Sequence, residues 1–125
     1  MDTNSLPKVT KVLIVEDEPL VSLNLVDLLT AEGAHVVCAN RAHEAIQSVE
    51  RFKVTAAVLD INLGNHDCGA VCQYLRERRI PFLFHTGYSA PLDGWDSVPV
   101  VKKPAAPKEM TDAVHRLCGW HQHAA

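Results

Sequence analysis

Short, unbroken apolar runs alternate with longer segments of helical periodicity along almost the whole chain, and this alternation constrains the fold most. Val12-Leu13-Ile14-Val15 is the first run, and it closes on Glu16-Asp17-Glu18. Pro19 opens a segment with Val21, Leu25, Leu28 and Leu29 at helical spacing, ended by Gly33. His35-Val36-Val37-Cys38-Ala39 reads as a second strand, and Ala42, Ala45, Ile46 and Val49 as one face of a second helix. Ala56-Ala57-Val58-Leu59 is a third run, ending at Asp60, with a loop through Gly64 and Asn65 behind it. Asp67 is placed to cap a helix carrying Cys68, Val71, Cys72 and Leu75 on one face. Pro81-Phe82-Leu83-Phe84 ends near Thr86, and Val98 to Val101 ends at Lys102-Lys103-Pro104. Pro107 starts a last helix with Met110, Val114 and Leu117 inward and Gly119 at its stop.

Strands alternating with helices predict parallel βαβ units with right-handed crossovers. Runs that are apolar throughout predict strands covered on both faces. Pro99 removes a ladder donor and puts the last strand at an edge. The expected fold is therefore α/β, a doubly wound five-stranded parallel sheet in the flavodoxin-like order 2-1-3-4-5 with helices on both faces. Between Gly87 and Ser97 stand Pro91 and Gly94 and no helical stripe, so the fourth helix is expected to be short or irregular. A chain of 125 residues is one domain. Residues 8–119 are expected to form it, with tails at 1–7 and 120–125.

Twelve Lys and Arg against fifteen Asp and Glu give a net charge of -3, which argues against an electrostatic nucleic-acid binder. No apolar run approaches the ~20 residues that span a bilayer, and Met1 to Thr10 lacks the apolar core of a secretory signal. A cytoplasmic protein with no membrane partner is expected. Cys38, Cys68, Cys72 and Cys118 contain no CxxC. Cys68 and Cys72 share a helix face as small apolar filler, with a redox or metal pair as the alternative. The ending His121-Gln122-His123 reads as a frayed polar tail ahead of a weak metal site.

Ligands of open α/β sheets bind outside the carboxyl ends of the strands. Four such ends carry reactive side chains: Glu16 and Asp17, Asp60, Thr86, and Lys103. Each alone has a plain structural reading as a helix cap, a turn or a solvated loop. All four on one rim point instead to a site. Carboxylates ~4 Å apart repel by roughly 4 kcal/mol at an effective dielectric of 20. Three of them raise a pKa or take a cation, and Lys103 supplies only one charge. A hard divalent ion with oxygen ligands, Mg²⁺, fits the remainder. Such a set can accept a phosphoryl group on one carboxylate, by positioning and charge neutralisation.

These residues resemble the receiver domain of bacterial two-component response regulators. The matching pieces are Val12-Leu13-Ile14-Val15-Glu16-Asp17-Glu18, Val58-Leu59-Asp60, Thr86-Gly87 and Val101-Lys102-Lys103-Pro104, spread from about Lys8 to Leu117. Pro81-Phe82-Leu83-Phe84-His85-Thr86-Gly87-Tyr88 also resembles the "FAT GUY" subgroup, often stand-alone, with His85 in place of its usual Ala. The resemblance implies that Asp60 accepts a phosphoryl group from a histidine kinase or a histidine phosphotransfer protein. It implies Mg²⁺ bound by Asp17, by Glu16 through water, by Asp60, and by the backbone carbonyl of Asn62. Thr86 and Lys103 would contact the phosphoryl oxygens, the Lys103-Pro104 peptide would be cis, and Asn62 and Tyr88 would tune dephosphorylation. Val100 stands where receivers usually carry a switch aromatic, and the loop Ile61-Asn62-Leu63-Gly64 lacks the common Met-Pro. Thr86 is therefore expected to move while the output uses another surface, from Tyr88 to Trp95.

The function expected is a single-domain receiver that signals to an unidentified protein target or serves as a phosphorelay shuttle or sink. It would be no enzyme beyond its own phosphorylation and dephosphorylation, and would bind no nucleic acid. A receiver that works without phosphorylation and a fragment of a larger regulator or hybrid kinase are the alternatives. A haloacid-dehalogenase-type phosphatase wants an acid at position 62, where Asn62 stands. A flavodoxin-type binder wants a phosphate loop where Glu16-Asp17-Glu18 would repel phosphate.

Overall fold

The computed structural model describes residues 6, 10–61, 68–87 and 92–123, with side chains in the last segment as far as 119. The elements in chain order are β1 (Lys11–Val15), α1 (Pro19–Ala31), β2 (His35–Ala39), α2 (Ala42–Phe52) and β3 (Ala56–Leu59), then α3 (Cys68–Glu77), β4 (Phe82–Thr86), β5 (Val100–Lys102) and α4 (Pro107–His123). The strands form one sheet in the order β2-β1-β3-β4-β5, every pair parallel. This is the doubly wound order expected from the alternation.

Strand parity sorts the apolar residues into two layers. Leu13, Val15, Ala57, Leu59, Phe82 and Phe84 face α2 and α3, where Ala45, Val49, Val71, Cys72 and Leu75 meet them. Val12, Ile14, Ala56, Val58, Leu83 and Val101 face α1 and α4, against Leu25, Leu29, Met110 and Val114. Central β1 and β3 have partners on both edges and helices on both faces, so Val12 to Val15 and Ala56 to Leu59 are buried without a break. Cys68 and Cys72 lie in the first of these layers, as small apolar filler does.

Local chemistry sets the helix ends. Pro19 occupies the first turn of α1, where its missing N–H is not needed. Gly33, at φ 97, lets the backbone fold back, so that the N–H groups of Gly33 and Ala34 donate to the carbonyls of Thr30 and Leu29. The last helix corrects the expectation. Gly119 does not stop it; α4 runs on to His123. A glycine ends a helix by adopting positive φ, and only Gly33 and Gly94 do so among the described glycines.

The strand at the edge is also shorter than its apolar run. Val98 and Pro99 precede β5, and the Pro99 carbonyl accepts the Phe84 N–H at 2.8 Å. Among the described residues no helix lies between β4 and β5. Leu92, Trp95 and Val98 cover the first layer there. They are held by turns in which Trp95 N–H donates to the Leu92 carbonyl and Val98 N–H to that of Trp95. Trp95 packs on Phe82 at 5.9 Å between centroids, with the Arg76 guanidinium 3.9 Å from its ring centroid. No described helix is long and apolar enough to cross a membrane.

Candidate functional site

The pairing of Val15 with Leu59 places the next residues of β1 and β3 side by side at the carboxyl rim. Those residues are Glu16 and Asp60, both buried. Asp60 N–H donates to the Val15 carbonyl at 2.9 Å, and Glu16 N–H to the Ala39 carbonyl at 3.0 Å, so ladder bonds fix both backbones. Glu16 Oε2 also accepts the Glu18 N–H at 3.2 Å, which ties the turn into α1. At the other side of the rim, Thr86 ends β4 fully buried and pairs with Lys102. Lys103 N–H donates to the Thr86 carbonyl at 2.7 Å. From this anchor the Lys103 ammonium reaches back across the rim, donating to Glu16 Oε1 at 2.8 Å and to Asp60 Oδ2 at 3.2 Å. Glu18 lies 4.0 Å from the same nitrogen. The Lys103-Pro104 peptide is cis.

One ammonium thus serves two buried carboxylates, and Asp17 and Glu18 stand exposed beside them. Carboxylate oxygens of Glu16, Asp17 and Glu18 all lie within 4.8 Å of one another. Burial pushes the Glu16 carboxyl up from 4.5 to about 7; the neighbouring Asp60 adds to the rise, while Lys103 and the Glu18 N–H oppose it. Burial works against the Lys103 ammonium, but Glu16 and Asp60 outweigh it and raise its pKa. Among the described residues the rim therefore carries more carboxylates than the one ammonium that contacts them.

The structure brings together Glu16, Asp60 and Lys103, sets the Thr86 backbone against Lys103, and puts Asp17 in the acidic group. Asn62 and Tyr88 lie outside the described residues. Two residues escaped the sequence reading as site members. Glu18 joins the acidic group from the first turn after β1. His85 is the only ionisable residue of β4 and is 7% exposed. Burial, and then the charge of Lys103, lower its pKa to about 4 against the pull of Asp60, so the ring is neutral. Its signal in the sequence was an ionisable residue directly after the apolar run Phe82-Leu83-Phe84.

A family model described as the response regulator receiver domain matches residues 12–115. The chain belongs to this receiver-domain family. It is 30% identical over 122 residues to the phyllosphere-induced regulator PhyR of Methylorubrum extorquens, covering 92% of this chain and 46% of that protein. It is 35% identical over 85 residues to the transcriptional regulatory protein TcrA of Mycobacterium tuberculosis, covering 66% of this chain and 34% of TcrA. The receiver thus spans about a third to a half of the length of these curated relatives. Among solved structures, the anti-anti-sigma factor PhyR from Bartonella quintana superposes with a TM-score of 0.77 at 26% identity, over 92% of this chain and 49% of that one. A CheY-like receiver domain protein from Methanospirillum hungatei JF-1 shares the fold, with a TM-score of 0.84 at 20% identity over 93% of this chain and 98% of its own.

Proposed function

We propose that this receiver domain accepts a phosphoryl group on Asp60 from the phosphohistidine of a kinase or phosphotransfer protein, and passes the signal by protein contact. The observation that carries this reading is the buried Asp60 carboxylate held 3.2 Å from the Lys103 ammonium, beside the acidic group of Glu16, Asp17 and Glu18. An Asp60 oxygen attacks phosphorus, the phosphorus–nitrogen bond of the donor breaks, and the donor imidazole leaves with the bonding pair. Lys103 then pairs with a phosphoryl oxygen in place of the carboxylate oxygen it now contacts. Thr86, at the end of β4, gives its hydroxyl to another. Burial keeps water from competing for these donors.

The donor set fits Mg²⁺: hard oxygens only, and carboxylates in excess of the one ammonium. Asp17, Asp60 and Glu16 would hold it, with the Asn62 carbonyl as a further ligand, and bound there it neutralises charge on the phosphoryl oxygens. The protein in this reading is no enzyme beyond its own phosphorylation and dephosphorylation. His85-Thr86-Gly87-Tyr88 after Phe84 supports placement near the "FAT GUY" receivers, with Tyr88 tuning dephosphorylation. The greater length of the relatives supports a second arrangement, in which the same chemistry works as a module of a larger regulator.

Intact mass tests the reading. With acetyl phosphate and Mg²⁺ the protein gains one phosphoryl mass, and Asp60→Ala or chelation of Mg²⁺ abolishes the gain. A gain that persists in Asp60→Ala would place the acceptor elsewhere.

A further inference from the structure

His85 has two unusual properties at once. Its ring is buried, and its Nδ1 has no hydrogen-bond partner among the described residues. A buried polar atom left without a partner destabilises the state in which it occurs, and native proteins keep few such atoms. This one sits directly before Thr86, whose carbonyl holds the Lys103 backbone. By strand parity the ring points away from Phe84 and Thr86, toward the α1/α4 layer. There it lines a groove of about 730 Å³ with Lys103, Leu25, Leu28 and Met110. The groove leaves the ring room to turn that a packed layer would deny. Val100, where receivers usually place an aromatic, is apolar and 38% exposed on the edge strand, so it offers the rim no hydrogen bond.

We propose that His85 is a positioning residue of the Asp60 site: its ring nitrogen, without a partner among the described residues, gains a hydrogen bond when the site is loaded and Lys103 turns from Glu16 toward the phosphoryl oxygens. The inference rests on the reading of Asp60 as phosphoacceptor. Its consequence is a pair of effects with opposite signs. The unpartnered nitrogen weighs on the unphosphorylated form alone, so its partnering favours loading. An apolar residue of similar volume removes the burden from the unphosphorylated form and the gain from the loaded one.

The experiment compares wild type with His85→Val, His85→Asn and His85→Gln. Urea unfolding is followed without ligand, and binding of beryllofluoride, a phosphoryl mimic, is followed in Mg²⁺. His85→Val is expected to unfold at an equal or higher urea concentration than wild type, yet to bind beryllofluoride about tenfold more weakly. Asn, whose amide overlays Nδ1, restores binding; Gln, whose amide overlays Nε2, does not. In wild type the Nδ1 resonance of His85 shifts on loading. Unchanged beryllofluoride affinity in His85→Val, or a parallel loss of stability and affinity, overturns the proposal. So does an unmoved Nδ1 resonance, a readout that needs no variant to fold. Failure of the wild-type protein to bind beryllofluoride at all would instead remove the Asp60 reading, and this proposal with it.

Discussion

The two faces of this sheet are finished differently. Toward α2 and α3, Phe82 and Phe84 meet edge to face at 6.0 Å, and Trp95 closes the layer where a short or irregular element is expected. Toward α1 and α4 the layer is aliphatic, and small residues such as Ala31 and Ala105 border a groove that runs to His85 and Lys103. The difference follows from parity along single strands. In β4, Phe82 and Phe84 point one way, and Leu83 and His85 the other. One face is packed for stability; the other leaves space beside the chemical rim.

Truncation tests this contrast most strongly. Phe84→Ala should cost about 3–5 kcal/mol, because Phe84 is fully buried and packed edge to face on Phe82. Leu25→Ala, beside the groove, should cost about 2 kcal/mol, at the low end for a buried leucine. Urea unfolding of both variants measures the gap, and equal costs would erase the distinction between the faces.

A pH series sharpens it next. His85 has a folded pKa of about 4 against 6.5, so between these values the unfolded chain takes a proton that the native ring refuses. This costs the native state nothing above 6.5 and up to about 3 kcal/mol as pH falls toward 4. Glu16 works the other way. With its pKa raised from 4.5 to about 7, the native state holds a proton that the unfolded chain releases. Metal-free protein therefore loses stability through Glu16 as pH rises across that window. The two slopes oppose each other, so wild-type stability should change little between pH 4.5 and 6.5. His85→Val should expose a profile that falls with rising pH. A variant profile that stays flat would show that Glu16 does not titrate there.

The smallest effect concerns the closure of the aromatic face. Arg76→Ala removes the guanidinium over Trp95 and should cost about 0.5–1 kcal/mol. The same substitution should leave beryllofluoride binding untouched, since Arg76 has no part in the rim.

The fold was legible because every element announced itself locally. Strands covered on both faces must be apolar throughout, and Pro19, Gly33 and Pro107 mark helix ends through their own backbone chemistry. The site was legible for a related reason: a parallel sheet collects its strand ends on one rim, so Glu16, Asp60, Thr86 and Lys103 could be gathered before any distance was known. Less local features were misread. Gly119 has the residue type of a stop but not the φ of one, and backbone angle is not written in residue type. Val98 and Pro99 extend an apolar run beyond the three residues of β5 that pair with β4.

By itself the sequence determined the order of elements, the parallel sheet, the family and the residues that reach the rim. Periodicity, turn chemistry and strand-end position are properties of neighbours along the chain. Only the tertiary structure decided that Glu16 is buried while Asp17 is exposed, that one ammonium serves Glu16 and Asp60 together, and that Glu18 joins them. It alone decided that His85 lies buried beside an open groove with a ring nitrogen unpartnered among the described residues. Burial, charge balance and hydrogen-bond satisfaction depend on which groups meet across the sheet, and residues 16, 60 and 103 meet only after the chain has folded.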